Sequence, residues 1–463
     1  MTADVIVRGQ RVLVDDQLKP AAVHVKDGKT CKITDYDDVP DGIQVIDAEN
    51  NVLMGGLVDS HVHVNEPGRT EWEGFYTATR AACAGGVTTV IDMPLNSSPV
   101  TTSLAALEAK INILPGKLFV DVGLLGGIIP GNLNEIEPMI EQGGVVGFKS
   151  FMIHSGIDDF PHVNENDVRS AMEIMQNLKK RNGRDVVMMF HAELSEPVDR
   201  ATSELKSNNE DSGDYKTFLK SRPREAENSA IALVIKLVKE YDVHVHIVHL
   251  SSSDALTMIQ QAQQDGIQIT CETTFHYLCL DAEHVPHGNT LFKCCPPIRE
   301  TDNKEKLWQG LKSDIITMIV SDHSPCTYDL KKGDFMSAWG GISSLELGLS
   351  IIWTQARQRQ IPLIQLVKWM SDNTSALVHL QQQKGQIKIG RDADFVIWDP
   401  DFQFTVDQEK LQIKNKCTPY HGQQLYGKIL TTVLRGQIIY KYDINSDQGS
   451  FVDKPTGQRL IPK

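Results

Sequence analysis

The chain has 463 residues, 41% apolar and 23% charged, which is room for one large folded unit and a smaller companion and is not the composition of a disordered chain. A formal net charge of -14, with no block of lysine and arginine to offset it, argues against nucleic-acid or membrane partners. No apolar run approaches the roughly 18 to 20 residues of a membrane span, and the eight cysteines are scattered without a CxxC pair, so a soluble intracellular protein with reduced thiols is expected, cytoplasmic by default.

Residues 1–53 read as short strands separated by turns, among them Asp4-Val5-Ile6-Val7-Arg8-Gly9 and Ala22-Val23-His24-Val25-Lys26-Asp27-Gly28. Residues 385–463 have the same texture, as in Ala393-Asp394-Phe395-Val396-Ile397-Trp398. The two ends are therefore predicted to build one small β-sandwich domain.

Between them, in 54–384, apolar β-branched runs recur eight times, around 52–58, 87–93, 118–125, 145–149, 186–190, 243–248, 267–271 and 315–320. Most are followed by segments with apolar residues at helical spacing, such as Glu71 to Ala84, Glu165 to Lys180, Glu227 to Tyr241 and Lys304 to Leu311. Strands that are apolar throughout are buried on both faces, as in a parallel sheet covered by helices. Eight such units predict an α/β fold, a closed (β/α)8 TIM barrel, with an open doubly wound sheet as the alternative.

Such barrels carry their chemistry at the carboxyl ends of the strands, so the residues just past each run are the candidates. His61 and His63 follow the first run, with the two-residue spacing that puts both imidazoles on one strand face. Lys149 follows the fourth, His191 the fifth, His249 the sixth and Asp322 the eighth. Four histidines and an aspartate at one rim are a donor set suited to zinc and similar divalent metals. A lysine there is unexpected, because an ammonium has no lone pair to offer.

Asp59-x-His61-x-His63, Gly147-Phe148-Lys149, His191-Ala192-Glu193, His249-Leu250-Ser251 and Ser321-Asp322-His323 resemble the metal-site motifs of the cyclic amidohydrolases: hydantoinases, dihydropyrimidinases, dihydroorotases and allantoinases. The resemblance runs from about residue 55 to 325, and Lys384-Gly385 to Asp394 looks like the family's return into the β-domain. It implies two divalent metal ions, zinc first with cobalt, manganese or iron as alternatives, and a carbamate on Lys149 that bridges them. His61, His63 and Asp322 would hold one metal and His191 and His249 the other. Asp322 would be the catalytic residue, taking a proton from the attacking water and returning it to the departing ring nitrogen. The family also implies a homotetramer.

The flanks bear on the ring that is opened. Dihydroorotases carry an arginine two residues past the second histidine, where this chain has Asn65; hydantoinases carry a tyrosine five residues past the lysine, where it has His154. By contrast, Asn65-Glu66-Pro67-Gly68-Arg69, Asp92-Met93-Pro94-Leu95-Asn96-Ser97, Lys293-Cys294-x-Pro296-Pro297-Ile298-Arg299, Ser321-Asp322-His323-Ser324-Pro325-Cys326 and Trp339-Gly340-Gly341-Ile342 resemble the allantoinase branch. That resemblance implies a small-molecule substrate, a hydantoin ring with a ureido arm, with Asn96, His154, Cys294, Cys295, Ser324, Gly340 and Gly341 as its expected contacts. Arg69 and Arg299 read instead as structural ion-pair residues, and His323 as a partner to the ligands. A non-catalytic, assembly-type relative is the alternative of another class; the filled ligand positions speak against it. The end Leu460-Ile461-Pro462-Lys463 is not a peroxisomal signal of the SKL kind, and a mitochondrial or peroxisomal setting stays open.

Overall fold

The computed structural model describes residues 3–462. Eight parallel strands form the barrel: Leu57–Val62, Val87–Asp92, Asp121–Leu124, Gly147–Phe151, Val187–His191, Val245–Ile247, Ile269–Thr274 and Met318–Val320. They are called strands one to eight below. Strands one to three pair in sequence, as do strands four to eight. Two joints close the ring. Val146 N donates to Leu124 O at 3.0 Å between strands three and four, and His63 N donates to His323 O at 2.8 Å between strands eight and one. Nearly every residue of these strands is buried, as expected of a sheet walled by helices outside and side chains inside.

The expected first run, 52–58, divides in two. Val52–Gly55 pairs with Val5–Val14 and Phe395–Thr405 in a nine-stranded, mostly antiparallel sheet drawn from both ends of the chain, and only Leu57–Val62 enters the barrel. Gly55 and Gly56 allow the switch of sheet, because a Cβ on Gly55 would lie 2.6 Å from Gly385 O and one on Gly56 2.2 Å from Thr88 Oγ1. No larger residue fits at either joint.

The helices start where local chemistry lets them. The helix expected from Glu71 begins instead at Phe75, since Gly74 has φ 106° and the buried Glu66 carboxylate accepts from Phe75 N at 2.8 Å. The helix expected from Glu227 begins at Arg224, directly after Pro223. Glu165–Asn182 is capped by Asn164 and Asp167, ends at Gly183 and buries Val168, Ala171, Met172, Met175 and Leu178 on one face.

A charged knot joins the floor of the barrel to the end-built sheet. The ammonium of Lys384, 2% exposed, lies 2.5 Å from Asp121, 2.8 Å from Asp392 and 2.7 Å from Asp394, and Arg435 reaches Asp121 at 2.5 Å. Asp121 opens strand three, so this knot fixes the barrel against the sheet. Nearby, residues 457–460 run beside the same strand: Val122 N donates to Gln458 O at 2.9 Å, and Leu460 N to Val122 O at 2.8 Å.

Candidate metal centre

Strand one delivers His61 with its ring already oriented. Its Nδ1 meets Glu272 Oε1 at 2.5 Å, which turns Nε2 inward to 3.2 Å from Asp322 Oδ1. His63 Nε2 stands 3.4 Å from the same oxygen. His249 arrives just past strand six and Asp322 just past strand eight, both at positive φ, 37° and 44°. The ligand atoms of His61, His249 and Asp322 lie within 4.8 Å of one another.

His191 ends strand five. Its ring stacks on Phe151 at 4.6 Å and 14°, and meets His249 edge-on at 4.6 Å. Its Nε2 contacts Glu193 Oε2 at 2.8 Å, and Glu193 is gripped in turn by Arg222 at 2.6 and 3.1 Å. Lys149, on strand four, is 1% exposed, with Nζ 5.2 Å from the centre of the Phe151 ring.

Burial decides the charge states. It pushes His63 down to about 4 and Lys149 down to about 7, and lowers His191 and His249 as well. Burial alone would raise Asp322, but the imidazoles of His61, His63 and His249 outweigh it and hold this carboxyl well below the usual range. Neutral His63, His191 and His249 beside an ionised Asp322 are in the protonation states a cation requires. Two ring nitrogens of the cluster, His61 Nε2 and His249 Nδ1, are buried with no hydrogen-bond partner among the described residues. Such orphaned atoms are costly unless something binds them, and the donor set fits a divalent cation.

A cavity of about 260 Å³ opens onto this cluster. Every expected contact residue lines it: Asn96, His154, Cys294, Cys295, Ser324, Gly340 and Gly341. Asn96 sits in a turn at φ 65° whose carbonyl accepts from Arg69 Nη1 at 2.8 Å. Arg69 is thus structural, but through a carbonyl and the ring of Trp72 rather than the expected ion pair; Arg299 does pair with Glu227, at 3.4 Å. His323 touches Glu73 at 3.3 Å. Asn65 does not line the cavity, and its side chain ties the first loop to Pro325 O at 3.2 Å.

Three residues were not predicted. Glu272 is buried between His61 and His246, the latter at 3.0 Å, and these partners outweigh desolvation to hold its carboxyl at about 2. It stands immediately after the seventh apolar run, so the rule that found the other strand ends applies to it; an acid inside a strand is the further signal. Arg222 and Lys293 also line the cavity. Arg222 follows no run and carries no local signal.

A closed parallel barrel that gathers imidazoles and a carboxylate beside a cavity at its carboxyl rim is the arrangement of a metal-dependent hydrolase. The chain belongs to the Amidohydrolase family, whose model matches residues 52–439. The family implies a binuclear divalent metal centre, which this donor set suits, and bears out the resemblance read from the motifs. The chain is 52% identical to "Probable allantoinase 2" of Dictyostelium discoideum over 98% of its own length and 92% of that protein. It is 46% identical to "Allantoinase" of Streptomyces avermitilis, covering 94% and 95% of the two chains. The solved structure of "L-Hydantoinase (Dihydropyrimidinase) from Arthrobacter aurescens" superposes with a TM-score of 0.91 at 29% identity, covering 99% of this chain and all of that one.

Proposed function

We propose that this protein hydrolyses the ring amide of allantoin to give allantoate. The observation that carries the reading is the convergence of His61, His249 and Asp322 within 4.8 Å beside a small cavity, in a chain that is 46–52% identical over nearly its whole length to proteins named allantoinases. In this reading the expected division, 54–384 as the catalytic unit and 1–53 with 385–463 as the β-domain, shifts at its first joint: Met54 and Gly55 go with the β-domain and the catalytic unit begins at Gly56.

His61, His63 and Asp322 would hold one divalent ion and His191 and His249 a second, with Lys149, as a carbamate, between them; zinc is the first candidate. When bound, such ions lower the pKa of water towards neutrality and polarise an amide carbonyl. The chain's own residues do the rest. Glu272 and Glu193 hold the rings of His61 and His191 in place. Asp322 presents Oδ1 to His61 and His63, which leaves Oδ2 to take the proton of the attacking water and return it to the ring nitrogen as the C–N bond breaks. Water is added across that bond, OH to the carbonyl carbon and H to the nitrogen, so the nitrogen becomes the NH2 of a ureido group and the carbon a carboxylic acid that ionises to carboxylate with release of one proton to solvent. Asn96, His154, Ser324 and the backbone around Cys294, Cys295, Gly340 and Gly341 supply hydrogen bonds to a neutral ureido substrate. The homotetramer expected from the sequence belongs to this reading and is tested by sedimentation.

The deciding experiment is comparative hydrolysis by protein loaded with zinc in bicarbonate. Allantoin should be opened far faster than dihydroorotate, dihydrouracil or hydantoin; preference for any of these three overturns the substrate assignment.

A further inference from the structure

Apart from Lys149, two lysines beside the cavity are buried with no carboxylate partner among the described residues. Lys293 and Lys331 are 7% and 6% exposed, and among the described residues their ammonium groups donate only to backbone carbonyls. Lys293 Nζ donates to Ala338 O, and Lys331 Nζ to Trp339 O at 3.0 Å and Gly341 O at 2.5 Å. The Phe218 ring lies 5.3 Å from the Lys293 ammonium. Burial lowers the basicity of both lysines, so keeping two unpaired cations here costs stability. Neutral donors would satisfy the same carbonyls at a smaller desolvation cost.

All of these carbonyls belong to one strap, residues 338–341, which lines the cavity together with the histidines. Its N–H groups are nearly all engaged: Ala338 with Asp334 O at 2.9 Å, Trp339 with Leu330 O at 2.8 Å and Gly341 with Lys293 O at 2.8 Å. The N–H of Gly340 has no partner among the described residues, and Gly340 faces the cavity. Gly341, at φ 128°, presses against strand eight's loop so closely that a Cβ would fall 2.2 Å from Ser324 O. The strap therefore has one seating, with one peptide group left to read a ligand.

We infer that Lys293 and Lys331 are positioning residues that fix this strap as the wall reading the substrate, presenting the Gly340 peptide to the cavity. Its kinetic arm rests on the allantoin reading above. Charged donors hold a carbonyl about twice as strongly as neutral ones, which suits a wall that must not yield when substrate enters.

The test compares zinc-loaded wild type with Lys331→Met and Lys293→Met, which keep chain length and remove the charge, and with Lys331→Arg. Each Met variant should raise KM for allantoin about tenfold while kcat stays within about threefold and zinc content is unchanged. Lys331→Arg should recover most of the loss. Hydrogen exchange without substrate should show faster exchange at residues 339–341 in both Met variants. Unchanged KM with unchanged exchange overturns the inference, as does a joint fall of kcat and zinc content. If Lys331→Met fails to fold, Lys293→Met, which loses one carbonyl contact, carries the same measurements. Should wild type fail to open allantoin, the exchange arm still decides whether the lysines seat the strap, so the two failures are distinguishable.

Discussion

The Nδ1 of His61 and Oε1 of Glu272 stand 2.5 Å apart, on strands one and seven of the same barrel. Glu272 also receives His246 Nε2 at 3.0 Å, so one buried carboxylate orients the ring whose other nitrogen faces the centre. Replacing it with glutamine keeps the shape but weakens the acceptor. Glu272→Gln should lower metal affinity about 10- to 100-fold, measured by competition with a chelator. Unchanged affinity would mean that the ring is held by packing alone.

Asp322→Asn removes the proton acceptor while keeping a donor atom near His61 and His63. The expected result is a fall in kcat of about 10²- to 10⁴-fold, with metal content falling much less. Loss of metal in step with activity would assign Asp322 a ligand role only.

Lys149→Ala should strip both metal and activity, and a short carboxylic acid in the buffer should partly restore both. Unchanged metal content in this variant would contradict the bridging role. For the native chain, carbon dioxide adds only to the neutral amine, and burial brings this lysine down to about 7. The neutral fraction, and with it the initial rate of carbamate formation in metal-free protein at fixed dissolved carbon dioxide, should rise about tenfold between pH 6 and pH 8 and level off above. Mass spectrometry of the intact chain reads the gain; a rate that is flat over this range would refute it.

Lys384→Met leaves Asp121, Asp392 and Asp394 buried around a missing cation, with Arg435 remaining to Asp121 and Lys29 to Asp392. Removing one member of such a buried cluster costs about 3–5 kcal/mol. The denaturation midpoint should drop accordingly, although the site lies at the other end of the barrel. A loss below about 1 kcal/mol would show that the aspartates protonate without consequence.

Much of this was legible because barrel chemistry is concentrated at strand ends. His61, His191, His249 and Asp322 each follow an apolar run, and that single regularity groups them from the sequence alone. The strand boundary at Gly55-Gly56 was not legible, since the run 52–58 is uniformly apolar and only the approach of Gly385 and Thr88 divides it. Arg222 was invisible for a different reason. It earns its place by reaching Glu193 across 29 residues, a pairing that no local pattern encodes. Lys293 and Lys331 look like ordinary surface lysines until their carbonyl partners are seen.

His249 and Asp322 both hold left-handed backbone conformations, which residues with side chains adopt at a cost of about 1–3 kcal/mol each. The barrel sets these angles when it folds. A main chain set in this way presents its donors in one geometry, so the centre should favour divalent ions whose coordination preferences match that geometry.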